Sequence, residues 1–190
     1  MLARLFAGGA CAVGLLVAVS VMPAAAHPYD QYSRGRSLFA TLFGPSIARM
    51  MVSYPTSHKA GTIVVSTAQR RLYLVLGNGQ ALSYAIAVGA PGYAWSGINQ
   101  VTNKREWPDW TPPGEMLQRR PDLPRHMAGG PDNPMGARAI YLGASLYRIH
   151  GSNEPYKIGQ AVSSGCIRMT NQDVIDLYNR VQIGATVIVE

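Results

Sequence analysis

His150-Gly151, followed by Cys166 sixteen positions after the histidine within Ser163-Ser164-Gly165-Cys166-Ile167-Arg168-Met169, is the set of residues in this chain best suited to covalent chemistry. A thiol and an imidazole on adjoining elements make a nucleophile and its base. A thiol of pKa near 8.5 is only about 3% thiolate at pH 7, so activating it raises the reactive fraction at most about thirtyfold. Amide cleavage therefore needs preformed donors facing a tetrahedral oxyanion, each worth roughly 10²–10³ in rate. The small residues Ser164 and Gly165 are expected to leave backbone N–H groups accessible for that task. Gly165 also permits a tight turn that presents the sulfur. His150 needs one ring nitrogen held as a donor so that the other can accept. With no carboxylate adjacent, the carbonyl of Gly151 is the natural holder.

Only two cysteines are present, and Cys11 sits in an N-terminal stretch that reads as an export signal. Arg4 supplies the positive end, Ala10 to Val21 is almost unbroken apolar sequence, and Ala24-Ala25-Ala26 forms a small-residue cleavage site before His27. The apolar run is short for a bilayer span, which weighs against an uncleaved anchor. Cys11 follows Gly8-Gly9-Ala10, without the leucine expected of a lipidation site, and its apolar core comes after it. Removal of residues 1–26 leaves Cys166 alone in a chain bound for an oxidising compartment, where paired cysteines are the norm. A lone exported thiol is a buried small hydrophobe or a working nucleophile.

The elements that must position these residues are mostly strands. Thr62–Ser66, Leu72–Leu76 and Ala81–Val88 are β-branched and apolar, with Gly77-Asn78-Gly79 as a hairpin turn. Ala137–Leu142 and Leu146–Ile149 read as further strands that end near Gly or His, where a site edge can form. Thr170-Asn171-Gln172-Asp173 resembles a capping box and precedes Val174, Leu177, Tyr178 and Val181 at helical spacing. Gly184 then releases the chain into a closing strand over Thr186–Val189. The expected fold is mainly β, a sandwich or mixed sheet with one short helix after the cysteine loop.

Between Glu106 and Gly136 lie seven prolines, four glycines and two tryptophans, so no regular element is expected there. A loop of that length is usually functional or disordered, Trp107 and Trp110 argue against disorder, and Arg119, Arg120 and Arg125 give it positive charge; it reads as a substrate-covering lid, with a purely structural surface wrap as the alternative. Residues 27–60 read as a linker and docking segment, leaving 61–190 as the single folded domain.

Net charge is +7, from 17 Lys+Arg against 10 Asp+Glu, but the basic residues are scattered rather than striped, which excludes a nucleic-acid binder. An anionic small partner fits better. His27, His58, His126, His150 and Cys166 show no CxxC or HExxH spacing, and no glycine loop joins a strand to a helix in the way phosphates require. Neither a metal nor a cofactor is expected.

The strings His150-Gly151 and Ser163-Ser164-Gly165-Cys166-Ile167-Arg168 resemble the signature of the bacterial L,D-transpeptidase catalytic domain, also called the YkuD domain, of the exported proteobacterial type. The likeness runs from about Thr62 to Glu190. It implies a β-sandwich-like catalytic domain in which Cys166 attacks the amide between residues three and four of a peptidoglycan stem tetrapeptide. The resulting thioester is resolved by an amine of another stem or of an envelope protein. It further implies that His150 is the base, held by the carbonyl of Gly151, and that Arg168 binds a substrate carboxylate or braces the cysteine loop. β-Lactams of the carbapenem type are implied as acylating agents, and the periplasm or cell envelope as the location. Many members carry His where this chain has Ser164, so an oxyanion role there falls to a hydroxyl or to backbone. Two readings compete: an L,D-carboxypeptidase or hydrolase that uses water as acceptor, and a wall-binding module without catalysis.

Overall fold

The hairpin expected at Gly77-Asn78-Gly79 sets the register of half the molecule. In the computed structural model, which describes residues 47–190, all three turn residues adopt positive φ, at 90°, 51° and 69°. They join β3 (Arg71–Gly77) to β4 (Gln80–Ala85) in antiparallel register. The tight turn needs these left-handed conformations, which glycine and asparagine adopt at least cost. Strand β2 (Ile63–Ser66) pairs with the other side of β3, and β1 (Met50–Ser53) adds an outer edge on β4. The signal read over residues 1–26, Cys11 and the first part of the linker and docking segment, residues 27–46, lie outside the described residues.

Two short strands, β5 (Val88–Gly89) and β9 (Ala161–Ser163), pair in parallel by themselves. The long β6 (Gly97–Glu106) ties the main sheet together. Its first residues pair with β11 (Thr186–Val189), and those from Val101 onward pair with β7 (Arg138–Leu142). Beyond β7 come β8 (Arg148–His150) and β10 (Ile167–Arg168), giving the order β1-β4-β3-β2-β11-β6-β7-β8-β10. Side chains from both halves, including Ile63, Leu72, Tyr84, Ile140, Leu142 and Ile149, meet in one buried core. That shared core is the sandwich-like packing of a mainly β domain.

Helix α2 (Asn171–Arg180) closes the core against β7 and β8 by burying Val174 and Leu177. Thr170 caps it by accepting from the Asp173 amide at 3.1 Å, as the sequence predicts. The buried Tyr84 hydroxyl donates to Asp176 Oδ2 at 2.7 Å, pinning the helix to β4. Burial and that carboxylate hold the Tyr84 phenol above its usual range. Among the described residues no helix is long and apolar enough to cross a membrane.

Several elements depart from the sequence reading: β6, which buries only Val101, and the short β9 and β10 are not among the expected strands. Met50–Ser53, taken as linker, forms β1; as an edge strand with only Val52 half-covered it lacks the apolar alternation that would reveal it. The strand expected over 81–88 is divided, because Ile86 and Ala87 leave β4 and Ala87 exchanges two backbone bonds with Arg168. The proline-rich stretch contains α1 (Gly114–Arg119), which begins after Pro112-Pro113 and holds no proline of its own.

Candidate active site

Cys166 stands between β9 and β10, on a turn made by Gly165 at φ +105°. Ser163 locks the turn from within: its Oγ donates to the Cys166 carbonyl at 2.6 Å and accepts from the Gly165 amide at 3.1 Å. Trp95 and Tyr147 back it from behind. Their rings stack at 4.3 Å and 7°, Trp95 Nε1 donates to the Gly165 carbonyl at 2.8 Å, and a β-carbon at Gly165 would lie 2.7 Å from the Tyr147 ring. The free thiol is half-buried, and its Sγ lies 3.8 Å from the Leu146 carbonyl.

His150 ends β8, and the parallel register sets it directly beside Arg168. Cys166 lies two residues upstream of that arginine, on the turn that leads into the strand paired with that of His150. Among the described residues no hydrogen bond joins them; the sulfur faces Leu146 and the ring faces backbone. His150 Nδ1 is 2.7 Å from the Gly151 carbonyl, as expected of the holder. A carbonyl only accepts, so this contact requires the Nδ1–H tautomer and leaves a lone pair on Nε2.

The imidazole is almost fully buried, and its pKa is lowered from 6.5 to about 3. Burial is the largest cause and the Arg168 guanidinium the next. The Gly151 carbonyl pulls the other way, as does that of Met135, while Arg148 adds to the lowering. A neutral ring is an acceptor throughout the physiological range. Burial thus disfavours a resting imidazolium at His150.

The expected oxyanion donors need one correction. The Gly165 amide is not accessible, because Ser163 Oγ takes it. The amides of Ser164 and Cys166 make no hydrogen bond among the described residues. The Arg168 backbone is bridged to Ala87 in both directions, at 2.8 and 2.9 Å. Its guanidinium faces Glu154 at 3.6 Å, while its Nε is buried without a hydrogen-bond partner.

The loop expected to be a lid is tied down. Asn133, 1% exposed, directs Nδ2 at the carbonyls of Pro108, Met127 and Ala128 at 3.0–3.2 Å and accepts from the Met135 amide at 2.8 Å. Trp110 and Met127 exchange backbone bonds across its neck. Of its three arginines, Arg120 is forked onto Asp122 at 2.6 and 2.8 Å, so that charge is neutralised locally. Arg119 instead lies over the Tyr93 ring at 5.3 Å. Trp95, Tyr147, Asn133 and the Met135 carbonyl escaped the sequence reading, since nothing in their spacing marks them.

A mainly β domain with a cysteine on a glycine turn and a buried neutral histidine on the next strand is thus defined. The chain belongs to the L,D-transpeptidase catalytic domain family, YkuD, whose family model matches residues 60–189. It is similar to the probable L,D-transpeptidase ErfK/SrfK of Escherichia coli (strain K12), with 40% identity over 134 residues, 66% of this chain and 42% of that protein. It therefore spans less than half the length of that relative. A crystal structure from Brucella melitensis, described as a probable carnitine operon oxidoreductase, is 42% identical, with a TM-score of 0.52 over 80% of this chain and 98% of that chain. L,D-transpeptidase 3 from Mycobacterium tuberculosis, in complex with a faropenem-derived adduct, is 21% identical. Its TM-score is 0.53 over 69% of this chain and 60% of that one, a likeness of fold.

Proposed function

We propose that this protein is a peptidoglycan L,D-transpeptidase in which Cys166 is the nucleophile and His150 the base. The observation that carries the reading is the half-exposed Cys166 on its locked Gly165 turn, one strand away from an imidazole held as the Nδ1–H tautomer. The sulfur leaves the Leu146 carbonyl, loses its proton to Nε2 and attacks the carbonyl carbon between stem residues three and four. The amides of Ser164 and Cys166 face the oxyanion. Collapse breaks the C–N bond, the proton passes from the imidazolium to the departing D-alanine amine, and a thioester remains. An amine of a second stem, or of an envelope protein, then attacks the thioester and restores the thiol. The first product is a 3→3 cross-link and the second a protein joined to the wall.

Export through residues 1–26 places this chemistry in the periplasm or cell envelope, with a role in wall biogenesis and cell shape. Arg168, beside His150 and facing Glu154, braces the cysteine loop rather than meeting substrate, which its buried Nε supports. Stem carboxylates are met by the exposed charge of the 106–136 loop. Faropenem and carbapenems acylate the same sulfur.

Intact-protein mass spectrometry after incubation with a disaccharide-tetrapeptide tests the reading. A thioester adduct on the wild type and none on Cys166→Ala is expected; an adduct on the variant, or none on either, overturns it. Added amine acceptor should yield cross-linked dimer, whereas free tripeptide alone would make the protein a carboxypeptidase.

A further inference from the structure

Asn171, the first residue of α2, appears in the sequence only as part of a helix start, yet its side chain reaches away from the helix. Its Oδ1 accepts from the Ala137 amide at 2.8 Å and from the Ser152 amide at 3.2 Å. The same oxygen is wedged against Gly136 and Gly151, where an added β-carbon on either residue would collide with it. The Gly151 carbonyl and the Ser152 N–H belong to one peptide unit. One end of that unit binds His150 Nδ1 at 2.7 Å and the other binds Asn171. Peptide planarity couples the two ends, so fixing the N–H fixes the direction of the carbonyl. The bond to the N–H also polarises the carbonyl toward its own donor.

We propose that Asn171 is a positioning residue of the active site, which holds the imidazole of His150 in its acceptor tautomer by anchoring the Gly151–Ser152 peptide. The proposal rests on His150 serving as the base. Ala137, the other amide that Asn171 holds, lies two residues after Met135, whose carbonyl also acts on the ring. Gly136 and Gly151 are required at their places because the amide oxygen occupies the space their side chains would fill.

The test uses the full chain, faropenem as the acylating probe and ¹⁵N NMR of the imidazole. In Asn171→Ala the first-order acylation constant should fall at least tenfold, while the half-saturating faropenem concentration stays within about twofold. The ring should change from a single Nδ1–H form to a mixture of tautomers. Asn171→Asp, whose carboxylate accepts the same two N–H bonds, should recover acylation to within about threefold. Asn171→Ser, a good helix-start residue too short to reach both amides, serves in place of alanine if that variant does not fold. Wild-type acylation and an unchanged ring in a folded alanine or serine variant would overturn the proposal. So would loss of fold in both, which would make Asn171 purely structural, or a folded aspartate variant as slow as alanine. If the wild type itself is not acylated, the proposed function fails, and the ring spectra still decide the role of Asn171.

Discussion

The imidazole of His150 is bonded to the carbonyl of the very next residue, Gly151, at 2.7 Å, so the ring is oriented by its own chain. The contact leaves Nε2 as the acceptor and ties the ring to a peptide whose far end is held by α2.

Burial keeps His150 neutral in the folded state, with its pKa lowered to about 3, whereas the unfolded chain protonates near 6.5. Between those values the unfolded state binds the extra proton, so the contribution is complete above about pH 6.5 and is lost as pH falls toward 3. The loss amounts to at most about 5 kcal/mol. Urea unfolding at a series of pH values should show this slope in the wild type and a flatter one in His150→Gln. Parallel slopes would argue against a buried neutral ring.

Arg168 is the second cause of that depression, after burial. Its replacement by glutamine removes the positive charge and should raise the titration midpoint of His150, read by NMR. A midpoint at or below the wild-type value would mean that the guanidinium field does not reach the ring.

Gly165 carries φ +105° against the Tyr147 ring. Gly165→Ala places a methyl group 2.7 Å from that ring and strains the backbone as well. A stability loss of about 2 kcal/mol and at least tenfold slower carboxymethylation or acylation of Cys166 are expected, measured by melting and intact mass. Unchanged labelling would show that the turn does not set the aim of the sulfur.

Asn133 ties the proline-rich loop through its buried amide. Asn133→Ala leaves the Pro108 and Ala128 carbonyls and the Met135 amide without their partner, at a cost of about 1–3 kcal/mol. Tryptic cleavage after Arg119 and Arg125 should rise several-fold over the wild type. In the wild type, addition of stem tetrapeptide should change that cleavage little, because the neck is already closed; strong protection by substrate would restore the lid.

The strands, the Gly77-Asn78-Gly79 hairpin and the capped helix after Thr170 were legible because their signals are local: β-branched runs, turn residues with positive φ, and an oxygen at a helix start. Strands β1, β6, β9 and β10 and helix α1 were not. β1 is an edge strand that takes its register from β4, β6 buries only Val101, β9 and β10 are two or three residues long, and α1 is a single short helix framed by prolines that read as loop. Of the candidate site, the His150–Gly151 contact and the Gly165 turn before Cys166 were legible from residue type and motif. Asn171 was hidden by its own legibility, since a capping box already accounted for it.

From the sequence alone came the chemistry available: the Cys166 thiol, an imidazole with a glycine after it, and a glycine turn to present the sulfur. Tertiary structure alone decided which of these groups are free to act. Distant segments had to meet before burial could neutralise His150, before Ser163 could withdraw the Gly165 amide, and before Asn171 could grip the Ser152 amide. Type and spacing specify what a residue can donate or accept. Whether that capacity is already used depends on neighbours brought together by folding, and a hydrogen bond made within the fold is not available to a substrate.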